Sequence, residues 1–547
     1  MNRQSPIAIG CALIAGICAC CGCAPDSRID NGKAVFRRPL ERVSTLDPIL
    51  SPSLYDAKTI ALVYETLLKT DYEARPYKLA PALAEELPAV SSNGLVYTFK
   101  IRRNSRFSAD PCFGTNADGS PKDRAVTAAD VVYSLNRLAD KSNASSGMWV
   151  MEGVKSIRAV DSHTVEITLK EPFYAFPWFM TLSYTGIVPK EAVEYYGRDF
   201  GQRAVGSGPW KLDLWQKSHK MRFVRKGDTP PDAYHAIEYY IIDDASTQWL
   251  MFLNGEIDMM GEVSRDNWDA VIKPDGTIDE NLKKRGVRLL FMQGMEFYYL
   301  GFNLRDPVIG KNKKLRQALN CAFDFEAWRK FHNNRIERCT GPLPAGVEGY
   351  DPSPFEYSFN LEKAKRLLKE AGYENGINPK TGKRLVITLG LGRADQDTRE
   401  STELLAGFFN RIGVVLEPHY MTWNAFLDAA VKGKEQMYRI GWCADFPDAQ
   451  NFLQLFYTPN FAPGPNRMCY SNPEFDDIFR KALFENDAAK RNELWIKAQK
   501  IIKEDCPCIF LQVPRKHYLL QPTVGNFIPS AFPFGEETYF KVKPLLK

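Results

Sequence analysis

The pattern that most constrains the fold of this chain is an alternation of short strand-like and helix-like segments along most of its length. Residues 97–101 and 164–169 alternate apolar and polar side chains, so each segment predicts a strand with one buried face. Thr127 and Asp130 have the spacing of a capping box, which predicts the start of a helix. Residues 361–371 form an amphipathic helix pattern. Mixed segments of both kinds predict the α/β fold class.

The length and composition of the chain allow more than one lobe. At 547 residues and 44% hydrophobic content, it can bury a large core without disulfide staples. The formal net charge is +5, and acidic and basic residues are interspersed along the sequence. Because no basic stripe is present, nucleic acid is not a predicted partner.

Residues 1–19 have the features of an export signal. Arg3 gives a positive start, and residues 7–17 form an uncharged apolar run. A helix of this length rises only about 16 Å, whereas the apolar core of a bilayer is about 30 Å thick. No other stretch approaches the length that spanning requires. We therefore predict a signal peptide over residues 1–19 and leave it out of the fold argument.

The apolar run ends in a cluster of cysteines that includes Cys20 and Cys23. This cluster resembles the lipobox of bacterial lipoproteins, in which the cysteine thiol is acylated and becomes the new N-terminus. The small and branched residues Ile17 and Ala19 favour Cys20 as the lipidated residue, and Gly22 makes Cys23 the alternative. The other interpretations are a plain cleaved signal and a metal-binding cysteine cluster, for which nothing downstream supplies partner ligands.

The rest of the chain has no spacing typical of an enzyme or a metal site. The histidines form no H-E-x-x-H motif, and neither G-x-S-x-G nor the Walker pattern occurs. Asp243 with Asp244, or Asp445 with Asp448, could be a glycosidase pair, but their spatial separation is not set by the sequence. Seven cysteines follow the N-terminal cluster, and an odd number leaves at least one thiol unpaired. We expect no enzymatic activity, no cofactor and no metal.

One carboxylate stands at the end of a predicted strand. The apolar run Met437–Cys443 predicts the strand, and Pro447 stops it. Asp445 follows the strand between aromatic residues, where it is poorly placed for ordinary solvation. In a partly dry cleft it could meet a cationic group of a ligand, because an ion pair there counts for more than in water. The alternative is that Asp445 caps the following turn or helix.

This stretch resembles the ligand-clamping segment of the peptide-binding components of ABC importers, the extracytoplasmic solute-binding proteins of family 5. Further segments resemble the family in the same order along nearly all of the mature chain. They are Thr45-Leu-Asp-Pro48, Val63-Tyr-Glu-Thr-Leu-Leu68, Pro81-Ala-Leu-Ala-Glu85, Tyr97-Thr-Phe-Lys-Ile-Arg102, Thr127-Ala-Ala-Asp-Val-Val-Tyr-Ser134, Val205-Gly-Ser-Gly-Pro-Trp210, Asn254-Gly-Glu-Ile-Asp258, Arg316-Gln-Ala-Leu319, Ala364-Lys-Arg-Leu-Leu-Lys-Glu-Ala-Gly-Tyr373, Phe452-Leu-Gln-Leu-Phe-Tyr457 and Tyr470-Ser-Asn-Pro-Glu-Phe-Asp476.

The resemblance implies a two-lobed fold of the periplasmic-binding-protein type II class, with a small additional domain inserted in the first lobe. Lobe I would comprise residues 20–75, 205–302 and 511–547, and the inserted subdomain residues 76–204. Lobe II would comprise residues 303–510. The ligand would lie in the deep cleft between the lobes.

The resemblance also implies which residues contact the ligand. In peptide-binding relatives the ligand lies extended and its backbone pairs with protein strands. On lobe II, the implied contacting segment is a strand, which corresponds here to Gly441, Trp442 and Cys443. On lobe I, it is a loop, which corresponds to Pro52, Ser53 and Leu54. Since proline has no N–H, the loop loses one hydrogen-bond donor at Pro52.

Two charged residues complete the implied site. Asp445 matches the carboxylate that receives the ammonium terminus of the peptide, and Arg439 matches an arginine near a ligand carboxylate. After Asp445 the chain reads Phe-Pro-Asp-Ala-Gln-Asn, which differs from well-studied tripeptide binders and resembles a broad subgroup with mostly unassigned ligands.

The function implied is that of a lipid-anchored, extracytoplasmic substrate-binding protein. It would capture short peptides and deliver them to the permease subunits of an ABC importer, and we expect it to be a monomer. Because the family also binds other solutes, a nickel chelate, haem, an opine or a sugar is the alternative ligand. A secreted hydrolase or a structural lipoprotein is the alternative from a different class.

Overall fold

A computed structural model of the protein describes residues 29–30, 32–51, 53–261, 263, 265–273, 275–462, 464–531 and 541–545. The predicted signal peptide over residues 1–19, both candidate lipidation sites, Cys20 and Cys23, and the predicted contact residue Pro52 lie outside the described residues. Within the described part of the chain, no helix combines the length and apolar character needed to cross a bilayer.

The described residues contain strands and helices throughout, as the alternating sequence pattern predicts. The strands are β1 (Ile29–Asp30), β2 (Lys33–Leu40), β3 (Leu68–Asp71), β4 (Lys78–Pro81), β5 (Ala89–Val90), β6 (Val96–Lys100), β7 (Arg106–Phe107), β8 (Arg124–Ala125), β9 (Val154–Ala159), β10 (Thr164–Leu169), β11 (Trp210–Gln216), β12 (Lys220–Arg225), β13 (Ala236–Ile241), β14 (Met259–Met260), β15 (Arg288–Gln293), β16 (Glu296–Phe302), β17 (Ile336–Glu337), β18 (Val386–Leu391), β19 (Val415–Tyr420), β20 (Met437–Cys443), β21 (Cys508–Leu520), β22 (Val524–Gly525) and β23 (Lys543–Pro544).

The α-helices are α1 (Leu54–Val63), α2 (Ala128–Ala139), α3 (Phe176–Phe179), α4 (Lys190–Tyr196), α5 (Ala245–Leu253), α6 (Arg265–Val271), α7 (Glu280–Lys284), α8 (Lys313–Ala322), α9 (Phe325–Phe331), α10 (Leu361–Glu370), α11 (Gln396–Asn410), α12 (Trp423–Lys432), α13 (Ala449–Leu453), α14 (Pro473–Phe484) and α15 (Ala488–Asp505).

The first sheet has the order β1-β2-β13-β12-β11, and only β2 and β13 run parallel. A buried ion pair joins β2 to the segment before β14. Arg37 Nη2 lies 2.9 Å from Asp258 Oδ1, and Arg37 Nε donates to Asp258 Oδ2 at 3.1 Å. Both side chains are almost fully buried, so each charge depends on the other. The Asn254-Gly-Glu-Ile-Asp258 motif therefore has a structural role.

The second sheet, in the order β5-β6-β10-β9, forms the core of the predicted inserted region. Phe99 on β6 and Val165 and Ile167 on β10 are fully buried, which confirms the predicted buried faces of these strands. Helix α2 begins at the predicted capping box, where the Asp130 carboxylate accepts the Thr127 N–H at 2.8 Å.

The largest sheet has the path β14-β21-β16-β20-β18-β19, and β15 and β17 also pair with β21. The long strand β21 changes partners along its length: residues 508–512 pair with β16, whereas residues 515–520 pair with β15. Strand β16 also pairs along its whole length with β20. The partner of β21 therefore changes from β16 to β15 between residues 512 and 515 of β21. The corresponding break between β15 and β16 lies between residues 293 and 296. The predicted lobe boundaries at 302/303 and 510/511 stay a prediction.

The helices that cover this sheet follow their sequence patterns. Helix α10 buries Ala364, Leu367 and Leu368, which confirms the predicted amphipathic pattern, and it is followed by Gly372 at a φ of +87°, a conformation that glycine adopts after many helices. Arg316 on α8 is buried and donates to four backbone carbonyls, including those of residues 505 and 506 after α15. The seven described cysteines are all free thiols.

Candidate functional site

Strand β20 occupies the position that the sequence predicted for the ligand-contacting strand, and its bounds, Met437–Cys443, are those predicted. One edge of β20 pairs with β16 over all seven of its residues. On the other edge, β18 pairs only with Met437 and Tyr438. Among the described residues, no strand continues this edge beyond Tyr438. The remaining part of β20 therefore keeps one edge available to another strand.

The hydrogen-bond alternation shows which residues face the available edge. Just past the strand, the Ala444 N–H donates to the Met295 carbonyl on the β16 side at 3.1 Å. Because residues in an antiparallel pair alternate in their hydrogen bonding, the even-numbered residues of β20 face β16. Gly441 and Cys443 therefore direct their N–H and C=O groups to the edge where an extended ligand could pair.

Glycine at position 441 is required by the packing of β16. A Cβ at this position would lie 2.8 Å from Cε1 and 2.9 Å from Cδ1 of Tyr298, which is paired with Gly441 across the two strands. A larger residue would displace the Tyr298 ring or the strand. The missing side chain therefore lets the backbone of β20 and the ring of Tyr298 approach closely.

Asp445 lies just after β20 and is half-buried. Among the described residues, its carboxylate accepts one side-chain hydrogen bond, from Asn451 Nδ2 to Asp445 Oδ2 at 3.4 Å. No lysine, arginine or histidine of the described residues forms an ion pair with it. Burial raises the pKa of Asp445, and the hydrogen bond from Asn451 partly opposes this shift. A carboxylate in this position is stabilised by any cationic group that binds beside it.

Asp448, three residues further on, is the helix cap. Its carboxylate accepts the Gln450 N–H at 2.8 Å at the start of α13. Tyr174 also donates its hydroxyl to Asp448 Oδ1 at 2.6 Å, across a sequence separation of 274 residues. Burial raises the pKa of Asp448, while these two hydrogen bonds lower it. The cap interpretation considered for Asp445 thus applies to Asp448. Asp244 likewise caps α5.

Arg439 is a cationic residue of β20 itself, and it lines the cavity beside this strand. Its Nη1 donates to Ser401 Oγ at 2.8 Å, and its guanidinium lies 5.3 Å from the centre of the Trp328 ring. No carboxylate of the described residues forms an ion pair with Arg439. Burial lowers its pKa, and the fields of Tyr298 and Asp395 act in the opposite direction. Arg439 is therefore held in place by neutral neighbours.

Trp442 and Cys443 differ in how they are held. Trp442 Nε1 donates to Asn451 Oδ1 at 3.0 Å, so Asn451 bridges Trp442 and Asp445. Cys443 is exposed. Together with Arg439 and Gly441, both residues line a cavity of about 750 Å³ beside β20. This volume lies in the range of small-molecule binding sites.

Two of the three predicted residues of the lobe I loop, Ser53 and Leu54, lie at the start of α1. Ser53 is the N-cap of this helix, and its hydroxyl accepts the Asp56 N–H at 3.2 Å. Leu54 is the first helical residue and is half-buried. The Ser51 carbonyl, two residues before Ser53, accepts the hydroxyl of Ser146 at 3.2 Å.

Two residues that the sequence did not single out link this loop to Asp445. Ser146 and Asp445 both act on the pKa of the Tyr184 phenol, which Ser146 lowers. Burial is the largest cause that raises the pKa of Tyr184, and Asp445 raises it further. Tyr184 packs directly against Gly147, where a Cβ would collide with its ring. Neither Ser146 nor Tyr184 belongs to a recognisable sequence motif, so only their position in the structure identifies them.

The predicted inserted region also contacts the segment after β20 directly. Besides the bond from Tyr174 to Asp448, the ring of Phe179 lies 5.4 Å from that of Phe446 in an edge-on arrangement. Arg491 lies over the Tyr174 ring at 4.0 Å. These contacts hold the two sides of the candidate site together near Asp445.

The comparison with protein families gives one match that covers most of the chain. The model of bacterial extracellular solute-binding proteins, family 5 (middle region), matches residues 78–463. Related proteins have different ligands in their names. Heme-binding protein A of Haemophilus influenzae is 26% identical over 90% of this chain and 89% of its own length. The periplasmic oligopeptide-binding protein OppA of Salmonella typhimurium is 26% identical over 96% of each chain.

Solved structures share the fold over almost the whole length. HbpA2 from Haemophilus parasuis has a TM-score of 0.80 and 25% identity, covering 94% of this chain and 100% of its own. The periplasmic binding protein DppA from Helicobacter pylori, in complex with the peptide STSA, has a TM-score of 0.72 and 26% identity, covering 93% and 97%. This likeness confirms the predicted α/β fold of the periplasmic-binding-protein type II class. The chain belongs to family 5 of the bacterial extracellular solute-binding proteins.

Proposed function

We propose that this solute-binding protein captures short peptides with a free α-amino group and delivers them to the permease subunits of an ABC importer. The observation that carries the proposal is Asp445, a carboxylate withdrawn from water with no cationic partner among the described residues. An α-ammonium group would supply the missing positive charge. Removing water from such a pair makes it stronger than the same pair in solution.

The available edge of β20 supports an extended peptide rather than a compact solute. Gly441 and Cys443 offer backbone N–H and C=O groups beyond the last pairing with β18. A peptide added to this edge would form main-chain hydrogen bonds that do not depend on its side chains. Its N-terminus would reach Asp445 at the end of the strand. On the lobe I side, we propose that Pro52, Ser53 and Leu54 contact the ligand.

Arg439 supports a ligand that also carries a negative charge. Its guanidinium is fixed by Ser401 and Trp328, and no described carboxylate neutralises it. We propose that a carboxylate of the peptide, either the C-terminus or an acidic side chain, lies near Arg439. Trp442 and Cys443 would then border the side-chain space in the adjoining cavity.

Binding without turnover is the proposed activity. The relatives in the comparisons are named as binding proteins. A hinge closure around the ligand is typical of two-lobed binding proteins and would exclude water from Asp445. We further propose that the protein acts as a monomer anchored by lipid at Cys20, or alternatively at Cys23. Intact-mass analysis of the native protein should find lipid on one of these cysteines, and an unmodified mature chain would refute the anchor.

Haem is the second candidate ligand, because Heme-binding protein A of Haemophilus influenzae is as similar in sequence as the oligopeptide-binding relative. Mass spectrometry of molecules that co-purify with the protein distinguishes the two. Calorimetry with a tripeptide and a tetrapeptide should then show saturable binding, with the peptides recovered unchanged. Co-purified haem together with no peptide binding would replace the proposed ligand, and cleavage of the peptides would refute the proposed activity.

A further inference from the structure

A second cavity lies away from β20, between α1 and the turns that follow β6 and precede β11. Its volume is about 750 Å³. None of its described lining residues belongs to the cavity beside β20. The Val205-Gly-Ser-Gly-Pro-Trp210 motif forms part of its wall, and the peptide site proposed above gives this motif no role. We therefore asked what this second cavity is built to bind.

The glycines of the motif press its turn against α1. A Cβ on Gly206 would collide with the carbonyl of Val63, and a Cβ on Gly208 would lie 2.6 Å from the same carbonyl group. The Gly208 N–H donates to the Val63 carbonyl at 2.8 Å, which fixes this close approach. The turn is thus held rigidly, with Ser207 at the wall of the cavity.

Hydrogen bonds bring the polar residues of three segments together at this wall. The Ser108 N–H donates to the Gly206 carbonyl at 3.0 Å, which joins the segment after β6 to the turn. The Lys226 N–H donates to the Pro209 carbonyl at 2.9 Å, and Lys226 Nζ donates to the Arg106 carbonyl at 2.5 Å. Lys226 therefore lies beside both the turn and the segment that carries Ser105 and Arg106.

Buried polar atoms in this wall have no partner among the described residues. The hydroxyls of Ser105 and Ser207 and the Nε of Arg102 form no hydrogen bond there. Ser105 and Ser207 are only 7% and 9% exposed. Buried polar groups are normally hydrogen-bonded, because an unsatisfied group costs about 1–3 kcal/mol. Three potential donors thus belong to residues that line the cavity.

The charge of the cavity is positive once its internal ion pairs are taken into account. Arg102 pairs with Glu65, and Arg106 pairs with Asp123 at 2.7 Å. Lys226 and Lys69 also line the cavity, and neither forms an ion pair with a described carboxylate. The positive charge that remains would attract an anionic group.

Other lining residues of the cavity are apolar. It includes Ala57, Ile60 and Ala61 on one face of α1, and Pro81 and Ala82 at the end of β4. These side chains could cover an aliphatic chain but offer no hydrogen bond to a polar one. The lining therefore combines polar, positively charged residues with apolar ones.

We propose that this cavity binds an amphipathic anion, with a carboxylate or phosphate head at Ser105, Ser207 and Lys226 and an aliphatic chain along α1. This site goes beyond the proposed peptide site and is independent of it. The same head-group chemistry could come from a fatty acid or from a phosphorylated alkyl chain, and the two sources can be separated by testing both.

The test is calorimetry on the full-length mature protein with decanoate, decyl phosphate and decanol. We expect saturable binding of one or both anions at one molecule per protein, and decanol should bind at least tenfold more weakly because it lacks the charge. Binding of decanoate alone or of decyl phosphate alone identifies the head group. This comparison uses the unaltered protein, so it does not depend on whether a variant folds.

Variants locate the site. Lys226→Met should lower the affinity for the anion about tenfold or more, because the substitution removes a charge-assisted hydrogen bond. Lys226→Arg keeps the charge and should have an affinity close to that of the unaltered protein. Lys211→Met removes an exposed lysine outside the cavity and should change nothing. Asp445→Asn should leave anion binding unchanged, and Lys226→Met should leave peptide binding unchanged. Failure of one site is thus distinguishable from failure of the other.

Three results would overturn the proposal. The first is no saturable binding of either anion. The second is equal affinity for decanol and the anions. The third is undiminished anion binding by Lys226→Met.

Discussion

The hydrogen bond from Tyr174 to Asp448 should stabilise the closed arrangement of the candidate site, and Tyr174→Phe tests this directly. The substitution removes only the hydroxyl, which lies 2.6 Å from Asp448 Oδ1. The ring remains to pack under Arg491, whose guanidinium lies 4.0 Å from its centre. Asp448 would keep the Gln450 N–H as a hydrogen-bond donor at 2.8 Å but would lose its donor from the other side of the site.

The expected magnitude follows from the burial of Asp448. A buried group that loses its partner costs about 1–3 kcal/mol, and more when it is charged. If the hydrogen bond between Tyr174 and Asp448 forms only when the two sides of the candidate site are together, losing it makes the free energy of closure less favourable by this amount. Peptide affinity should then fall about 5- to 150-fold. Without ligand, a larger fraction of the protein should be open.

Calorimetry with one peptide and small-angle scattering of the ligand-free protein measure these two effects. Tyr195→Phe is a matched control, because Tyr195 is 61% exposed and its hydroxyl forms no hydrogen bond with any described residue. We expect Tyr174→Phe to weaken binding and to increase the radius of gyration, and Tyr195→Phe to do neither. Unchanged affinity together with unchanged scattering in Tyr174→Phe would refute the reasoning.

Three further predictions concern packing, ionisation and a buried pair. Gly441→Ala should lower the free energy of unfolding by about 1–3 kcal/mol in urea denaturation, because the added Cβ would crowd Tyr298. Gly407→Ala is the control: its Cβ would meet no atom within 4 Å, and the free energy of unfolding should rise by about 0.5–1 kcal/mol. Peptide affinity should fall up to tenfold per pH unit as the pH drops below the raised pKa of Asp445, and Asp445→Asn should remove this dependence. In the ligand-free protein, the raised pKa makes the contribution of Asp445 to stability larger at low pH. This contribution is lost as the pH rises through the pKa of Asp445 in the folded protein. Asp258→Ala should cost about 3–5 kcal/mol in the same denaturation assay, because it removes the carboxylate that accepts hydrogen bonds from the buried Arg37 guanidinium; a loss below 1 kcal/mol would contradict this.

Local pattern was enough to predict the individual elements. The alternation over residues 164–169 gave a strand with its buried face, and the capping box at Thr127 gave the start of α2. The bounds of β20 followed from its apolar run and from Pro447. In each case the information lies within a few residues of the element, where periodicity and turn chemistry act.

Contacts between distant segments could not be predicted in this way. Asp445 and Asp448 stand three residues apart in one turn, and both fit the role of a helix cap. Only the approach of Tyr174, far away in the sequence, and the capping bond to Gln450 separate their roles. The change of partners within β21 falls at Pro514, which is followed by the polar residues Arg515, Lys516 and His517, so the sequence marks the place. Which strands pair on either side of it depends on segments far away in the sequence.

The most direct test of the central claim is the effect of Asp445→Asn on a tripeptide with a free N-terminus and on its N-acetylated form. Breaking a desolvated charge pair costs about 2–5 kcal/mol, which corresponds to a loss of about 30- to several-thousand-fold in affinity. The account predicts this loss for the free peptide in Asp445→Asn. For the acetylated peptide, which has no ammonium group, the substitution should change affinity little. An equal loss for both peptides, or no loss for either, would contradict the assignment of Asp445 as the anchor of the α-amino group.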